Sequence, residues 1–244
     1  YFIYRILNEK SDVIITRAGS PFLFIIGLAT KVKATKLVYF LAHDWELVYG
    51  KKFTGWRWKL FHLGLGFCDQ IFVQNSFQLK NIKKISSVNE KNLFLTKNLP
   101  LLEHKDYSSA DPKYFLWVGT YRKHKMLEIF IKAAKSLPDY EFLIVIGMLG
   151  NKNAKKEIKY LTKDTNNLKI IFDATRQEIL NIYHNAKALI ITSKGEGFPN
   201  VAIEAWSQGK VVISSPNNAL IHMNGYEGCF IYKNFKELLT SLKK

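Results

Sequence analysis

The sequence predicts an α/β protein of two domains, each with a mostly parallel sheet, facing each other across a cleft. Three observations carry this. Short apolar, β-branched runs alternate with helical segments along most of the chain. The alternation breaks once, over residues 101–112, where charged and small polar residues (E-H-K-D-Y-S-S-A-D-P) replace the apolar pattern as in a linker. Two strands of the second half end in glycine, at Gly119 and Gly147, as suits a crevice where backbone comes close to a ligand. A length of 244 residues allows one large domain or two of about 100 to 150 each, and the break decides for two. The expected division is 1–108 and 109–244.

Taken in order, Phe2 to Glu9 reads as a helix and Asp12 to Thr16 (D-V-I-I-T) as a strand. Pro21 to Val32 is an apolar helix. Lys36 to Leu41 is a strand that runs out into Ala42-His43-Asp44-Trp45-Glu46. A helix follows from about Gly55 to Phe67, with Trp56, Leu60, Leu63 and Phe67 on one face as its core side. Trp58 and Phe61 then lie elsewhere, beside Arg57 and Lys59. Strand Gln70 to Gln74, helix Ser76 to Ile85 and strand Asn92 to Thr96 complete the first half.

The second half opens on strand Tyr114 to Val118 and helix His124 to Leu137. Strand Glu141 to Ile146, a helix from about Ala154 to Thr162, strand Lys169 to Phe172 and helix Gln177 to Asn185 continue it. Ala188 to Thr192 is a buried strand, and Ser193 to Asn200 a turn with two glycines and a proline. Val201 to Gln208 has helical spacing and stops at Gly209, and Val211 to Ser214 is the next strand. A short strand near Cys229 to Tyr232 and a helix from Phe235 end the pattern.

Hydrophobic residues at 48% suffice for packed cores, which excludes disorder as the default. Cys68 and Cys229 match no metal spacing and are expected to be reduced, in a cytosolic protein. The longest apolar run, Pro21 to Ala29, is too short to span a bilayer. The chain opens on Tyr1-Phe2-Ile3 without an initiator Met, and reads as a fragment of a longer protein. The net charge of +16 invites a nucleic-acid or anionic-membrane reading. Lysine, however, supplies 31 of the 36 basic residues, and the excess is spread evenly over both halves. It is therefore read as a solvated lysine surface, with no nucleic-acid partner.

Chemistry concentrates in two loops. In the first, Gly195 to Asn200 meets a helix start, where backbone N–H groups and the positive end of the helix dipole favour an anion such as phosphate. Two carboxylates, Glu196 and Glu204, stand there with seven residues between them. Each suits sugar hydroxyls: Glu196 a hexose, Glu204 a ribose diol. An ordinary glutamate in a first helical turn is the other reading of Glu204. The second loop, Gly119-Thr120-Tyr121-Arg122-Lys123-His124-Lys125, sets cations at the end of a strand expected in the same sheet. Lys125 and Arg122 supply the positive charge that a leaving diphosphate needs, without a metal. Asp44-Trp45-Glu46 offers a counter-reading, paired acids holding a metal on a diphosphate, against which the cationic loop argues.

V-G-T-Y-R-K-H-K, F-L-I-V-I-G and S-K-G-E-G-F-P-N-V-A-I-E-A-W-S-Q-G-K-V-V-I-S resemble the carboxyl-terminal domain of GT-B glycosyltransferases. The group is glycosyltransferase family 4, the retaining "glycosyl transferases group 1" domain. The resemblance covers residues 114 to 232 and is weaker over 1 to 100, where D-V-I-I-T, F-L-A-H-D and F-V-Q-N-S-F-Q are similar to the acceptor-side domain. It implies two Rossmann-like domains, with the amino-terminal one incomplete in this chain. Glu196 would contact donor-sugar hydroxyls, and backbone amides of Gly197, Phe198, Pro199, Asn200 and Val201 would form the surrounding donor loop, proline excepted as a donor. Glu204 would hold the nucleotide ribose, and Lys125 the donor phosphates beside Gly119. Thr120 stands where the family carries an arginine, so Arg122 is the second cation on offer. Met126 replaces a glycine. His43 matches a histidine near the reacting sugar carbon.

The implied activity is transfer of a sugar from a nucleotide diphosphate, with retention and no cofactor or metal, in cell-surface polysaccharide or lipopolysaccharide synthesis. The acceptor would be a glycan or lipid-linked. Front-face attack assisted by a donor phosphate oxygen suits this better than a double displacement, since Glu204 is assigned to the ribose. Lys51 to Lys59 mixes cations with aromatics, with Trp58 and Phe61 beside Arg57 and Lys59. It reads first as ordinary packing within the first domain and second as a surface for peripheral contact with an anionic membrane on the cytoplasmic face. The alternatives are a GT-B epimerase or phosphorylase, and a basic, non-catalytic module for nucleic acid or membrane.

Overall fold

A computed structural model of the chain describes residues 2–8, 10–96, 111–148, 152–217, 220–221, 225 and 228–243. Most of the expected linker, and the boundary expected between 108 and 109, lie outside the described residues. The chain divides into two compact units: Tyr1–Asn98 with Gly195–Phe198, and Leu99–Lys194 with Pro199–Lys244.

In the first unit, β-branched and aromatic runs form strands β1 (Val13–Arg17), β2 (Lys36–Phe40), β3 (Gln70–Val73) and β4 (Leu93–Leu95). Helices α1 (Phe2–Asn8), α2 (Leu23–Val32), α3 (Gly55–Leu65) and α4 (Ser76–Ile82) separate them in part. The strands are parallel and lie in chain order, β1-β2-β3-β4. Leu37, Tyr39, Ile71 and Val73 are buried among Leu23, Ile26, Phe61 and Leu65. Glu46, fully buried, accepts from the Tyr39 hydroxyl at 2.6 Å and pairs with Lys52 at 3.3 Å. Burial, then the neighbouring Glu46 charge, pushes the Tyr39 phenol well above its ordinary value.

The face expected for α3 is corrected by the structure. Trp56 and Leu63 are exposed, while Phe61, Gly64 and Leu65 are buried. Gly64 decides the orientation, because a Cβ there would stand 2.6 Å from the Phe24 nitrogen. Only a bare glycine allows α2 to come so close, and that contact turns Trp56 and Leu63 outward.

The second unit carries β5 (Tyr114–Thr120), β6 (Glu141–Gly147), β7 (Leu168–Phe172), β8 (Ala186–Ile191), β9 (Val211–Ser214) and β10 (Cys229–Ile231). Its helices are α5 (Leu127–Ser136), α6 (Lys152–Thr162), α7 (Arg176–His184), α8 (Asn200–Ser207) and α9 (Phe235–Leu242). The sheet runs β10-β9-β8-β5-β6-β7, all parallel. β6 and β8 are buried almost without interruption, the pattern of strands covered on both faces. The core gathers Phe115, Trp117, Phe130, Ile144, Ile190 and Leu238.

α5 begins at Leu127 rather than His124. Lys123–Lys125 instead forms a single 3-10 turn, and Met126 follows in the left-handed conformation (φ 50°, ψ 46°) that ends it. Cys68 and Cys229 are free and buried, and burial pushes the Cys68 thiol up to about 12. No described helix is long and apolar enough to cross a membrane.

Candidate functional site

The second sheet reverses direction. From β5 the chain steps outward through β6 and β7, then returns to place β8 on the other side of β5 and continues outward through β9 and β10. The β5/β8 junction is therefore the topological switch point, where parallel α/β sheets leave a crevice beyond their carboxyl ends. Gly119 and Thr120 close β5, followed by Arg122 to Lys125. β8 runs out at Ile191 into Thr192, Ser193 and Lys194. The two loops expected to share a site thus leave neighbouring strands.

Hydrogen bonds tie them together. The buried Trp117 indole donates to Thr192 Oγ1 (3.1 Å), and that hydroxyl donates to the Lys125 carbonyl (2.6 Å). The Lys194 amide donates to the His124 carbonyl (2.9 Å). Lys125 is half-buried at the end of its turn, while Arg122 and Lys123 are exposed. Burial, with Glu157 and Glu128 nearby, pushes the Tyr121 phenol up to about 12.

Among the described residues, helix starts in this unit are of two kinds. Thr175 caps α7 in a reciprocal box with Glu178, and Asn234 caps α9 through the Glu237 amide. Neither α5 nor α8, which follow the two loops, has a side-chain cap: Met126 stands before one and Pro199 before the other. At those two starts the residue before the helix supplies no capping side chain. In α8, Asn200 is exposed, Val201 half-buried, and Glu204 lies one turn in with 13% of its side chain exposed. Arg176 Nη1 stands 3.0 Å from Glu204 Oε1, and the Tyr183 hydroxyl 3.3 Å from Oε2. Burial, then the Glu204 charge, pushes the Tyr183 phenol well above its usual value.

Glu196, Gly197 and Phe198 group with the first unit and are buried there. Within that unit Gly197 O accepts from Asn75 Nδ2 at 2.8 Å, and a Cβ on Gly197 would collide with Gln74 Oε1 and the Ala42 carbonyl. Position 197 therefore takes only glycine. His43 is exposed in the loop after β2, just before a 3-10 turn over Asp44–Leu47. Asp44 is buried and accepts from Asn75 Nδ2 (3.0 Å) and Gln78 Nε2 (2.9 Å). Asp44 and Glu46 point into separate networks, Asp44 among amides and Glu46 against Tyr39 and Lys52, and so do not form a paired acidic site.

The structure thus brings Gly119, Thr120 and Lys125 up to the strand that leads to α8. Sequence reasoning missed Trp117, Thr192, Arg176 and Tyr183. A strand-end threonine and a helical tyrosine carry no signal of their own, since their partners lie 67 and 21 residues away.

Residues 102–241, more than half of the chain, match the family described as Glycosyl transferases group 1. An uncharacterized glycosyltransferase of Methanocaldococcus jannaschii is 26% identical over 132 residues, covering 52% of this chain and 36% of its own length. Among solved structures, TarM aligns with a TM-score of 0.77 at 13% identity, over 99% of this chain and 50% of TarM. A mutant of TarM from S. aureus has been solved with fondaparinux, alpha-GlcNAc-glycerol and UDP. The lipopolysaccharide outer core galactosyltransferase WaaB aligns with a TM-score of 0.65 at 16% identity, over 99% of this chain and 68% of WaaB. The chain thus spans about a third of the archaeal relative and half of TarM. The expected α/β, GT-B fold with Rossmann-like parallel sheets is borne out by these likenesses. The chain belongs to the glycosyl transferases group 1 family.

Proposed function

We propose that the protein transfers a sugar from a nucleotide diphosphate to a glycan or lipid-linked acceptor, as a retaining enzyme of glycosyltransferase family 4. The observation that carries this is the tie between the two loops at the β5/β8 switch point, through Thr192 Oγ1 to the Lys125 carbonyl. In this reading Lys125 and Arg122 sit on the diphosphate, with Arg122 replacing the arginine absent at Thr120. The uncapped start of α8 adds its amides and dipole. Glu204 takes the ribose, Glu196 the donor sugar with the loop Gly197 to Val201, and His43 the region of the anomeric carbon.

As the glycosidic bond to phosphate breaks, negative charge grows on the departing diphosphate and the sugar gains oxocarbenium character. Fixed cations and helix amides stabilise that charge without reorganising. Glu204 is already engaged by Arg176 and Tyr183, which disfavours it as a nucleophile and favours front-face attack with a phosphate oxygen taking the acceptor proton. The donor class is supported by the UDP complex of TarM, and a cell-surface acceptor by the activity that WaaB is named for. No cofactor or metal is part of the proposal, and the working location is cytoplasmic.

Peripheral membrane contact belongs to the same reading. Phe61, expected to share in it, is buried, so the surface offered is Trp56 and Leu63 beside Arg57 and Lys59. A thermal-shift panel of nucleoside diphosphates and nucleotide sugars tests the central claim. A rise in melting temperature with one base, lost in a Glu196→Gln, Glu204→Gln double variant, is the expected result. No shift with any of them defeats it.

A further inference from the structure

Glu204 has both carboxylate oxygens engaged by a single helix. Arg176 opens α7 and Tyr183 lies seven residues on, so both project from one face of it, Arg176 toward Oε1 and Tyr183 toward Oε2. The Tyr183 hydroxyl also stands 3.4 Å from the Val201 carbonyl, which sets α7 in register with the first turn of α8. These contacts are not needed to start α7, which has its own Thr175–Glu178 capping box. An ion pair with its arginine 56% exposed adds little stability either. What the pair does fix is the direction of the carboxylate. A carboxylate accepts about four hydrogen bonds, so each oxygen keeps one lone-pair direction for a further donor.

We infer that Arg176 and Tyr183 are positioning residues that hold Glu204 as a two-oxygen acceptor for the 2′- and 3′-hydroxyls of the donor nucleotide. The inference rests on the ribose role proposed for Glu204. Both residues act through the orientation of that carboxylate. Their signature is therefore discrimination between sugar hydroxyls, with contacts to phosphate unchanged.

Calorimetric titration of the chain with a ribonucleoside diphosphate of the preferred base, and with its 2′-deoxy and 3′-deoxy counterparts, reads this directly. The wild type is expected to favour the ribo form by about tenfold, one hydrogen bond to a charged group. Glu204→Ala abolishes the preference. Arg176→Ala and Tyr183→Phe reduce it to about threefold or less, Arg176→Lys restores part of it, and affinity for inorganic diphosphate stays as in the wild type. Arg176→Ala, at an exposed position, is the deciding variant, because surface substitutions cost little stability, and an unchanged melting temperature confirms that the variant is folded. An unchanged ribo-to-deoxy ratio in Arg176→Ala overturns the inference while leaving Glu204 in place. A wild type with no such preference, or a preference that survives Glu204→Ala, overturns the ribose reading itself.

Discussion

The two sheets differ in how their strands are laid down. In the first unit β1 to β4 follow one another in a single direction, and no junction reverses. In the second the order turns back between β5 and β8, and both cation-bearing and carboxylate-bearing loops leave from that point. Buried charge is used differently as well. Glu46 is sealed inside the first core against Tyr39 and Lys52, whereas Glu204 stays partly open at the edge of α8. A reversal of strand order brings together loops distant in sequence, while in the first unit the buried carboxylates Asp44 and Glu46 are held by groups of that unit.

Lys125→Ala tests the strongest form of this contrast. Turnover with the preferred nucleotide sugar should fall about 10²- to 10³-fold, as when a preorganised charge is removed from a transition state, with the melting temperature little changed. Full activity in the variant removes the phosphate role. In the first unit Tyr39→Phe deletes a 2.6 Å bond to a buried carboxylate. It should cost about 2 kcal/mol in denaturant unfolding with no effect on nucleotide affinity. A matching loss of affinity would erase the distinction between the units. Glu204→Ala is expected to weaken nucleoside diphosphate binding about tenfold by calorimetry. Thr175→Ala should cost about 1 kcal/mol of stability and leave that binding untouched, because its cap serves only α7. The smallest effect is expected from Met126→Gly. Relief of a left-handed residue (about 1–2 kcal/mol) outweighs the chain entropy that glycine adds (about 0.5–1 kcal/mol), so the melt should rise slightly.

Sequence carried the second unit further than the first for a physical reason. Alternating apolar runs placed β5 to β10, and the paired glycines and proline marked the loop before α8, because those signals are local. The start of α5 was misplaced because nothing in K-H-K-M announces a left-handed methionine. α3 misled because apolar residues surround it, at Trp56, Leu60, Phe61 and Leu63. With no single apolar stripe, the close approach of α2 to Gly64 chose the buried face, and that is a tertiary fact. Arg176 and Tyr183 were unreadable for a related reason: they act on a carboxylate of another helix. His43 was legible as a residue just past a strand, because the apolar run of β2 is a local signal.

The adjacency of β5 and β8 also bears on how the chain folds. Thr192 and Lys125 meet across 67 residues, with α5, β6, α6, β7, α7 and β8 between them in the chain. Contacts of such separation carry a larger loop-closure cost than local ones, and we expect them to form after β6 and β7 have paired. A partly folded chain can hold β6 and β7 and still lack any crevice. Recovery of nucleotide affinity during refolding would then serve as a clock for the last step rather than the first.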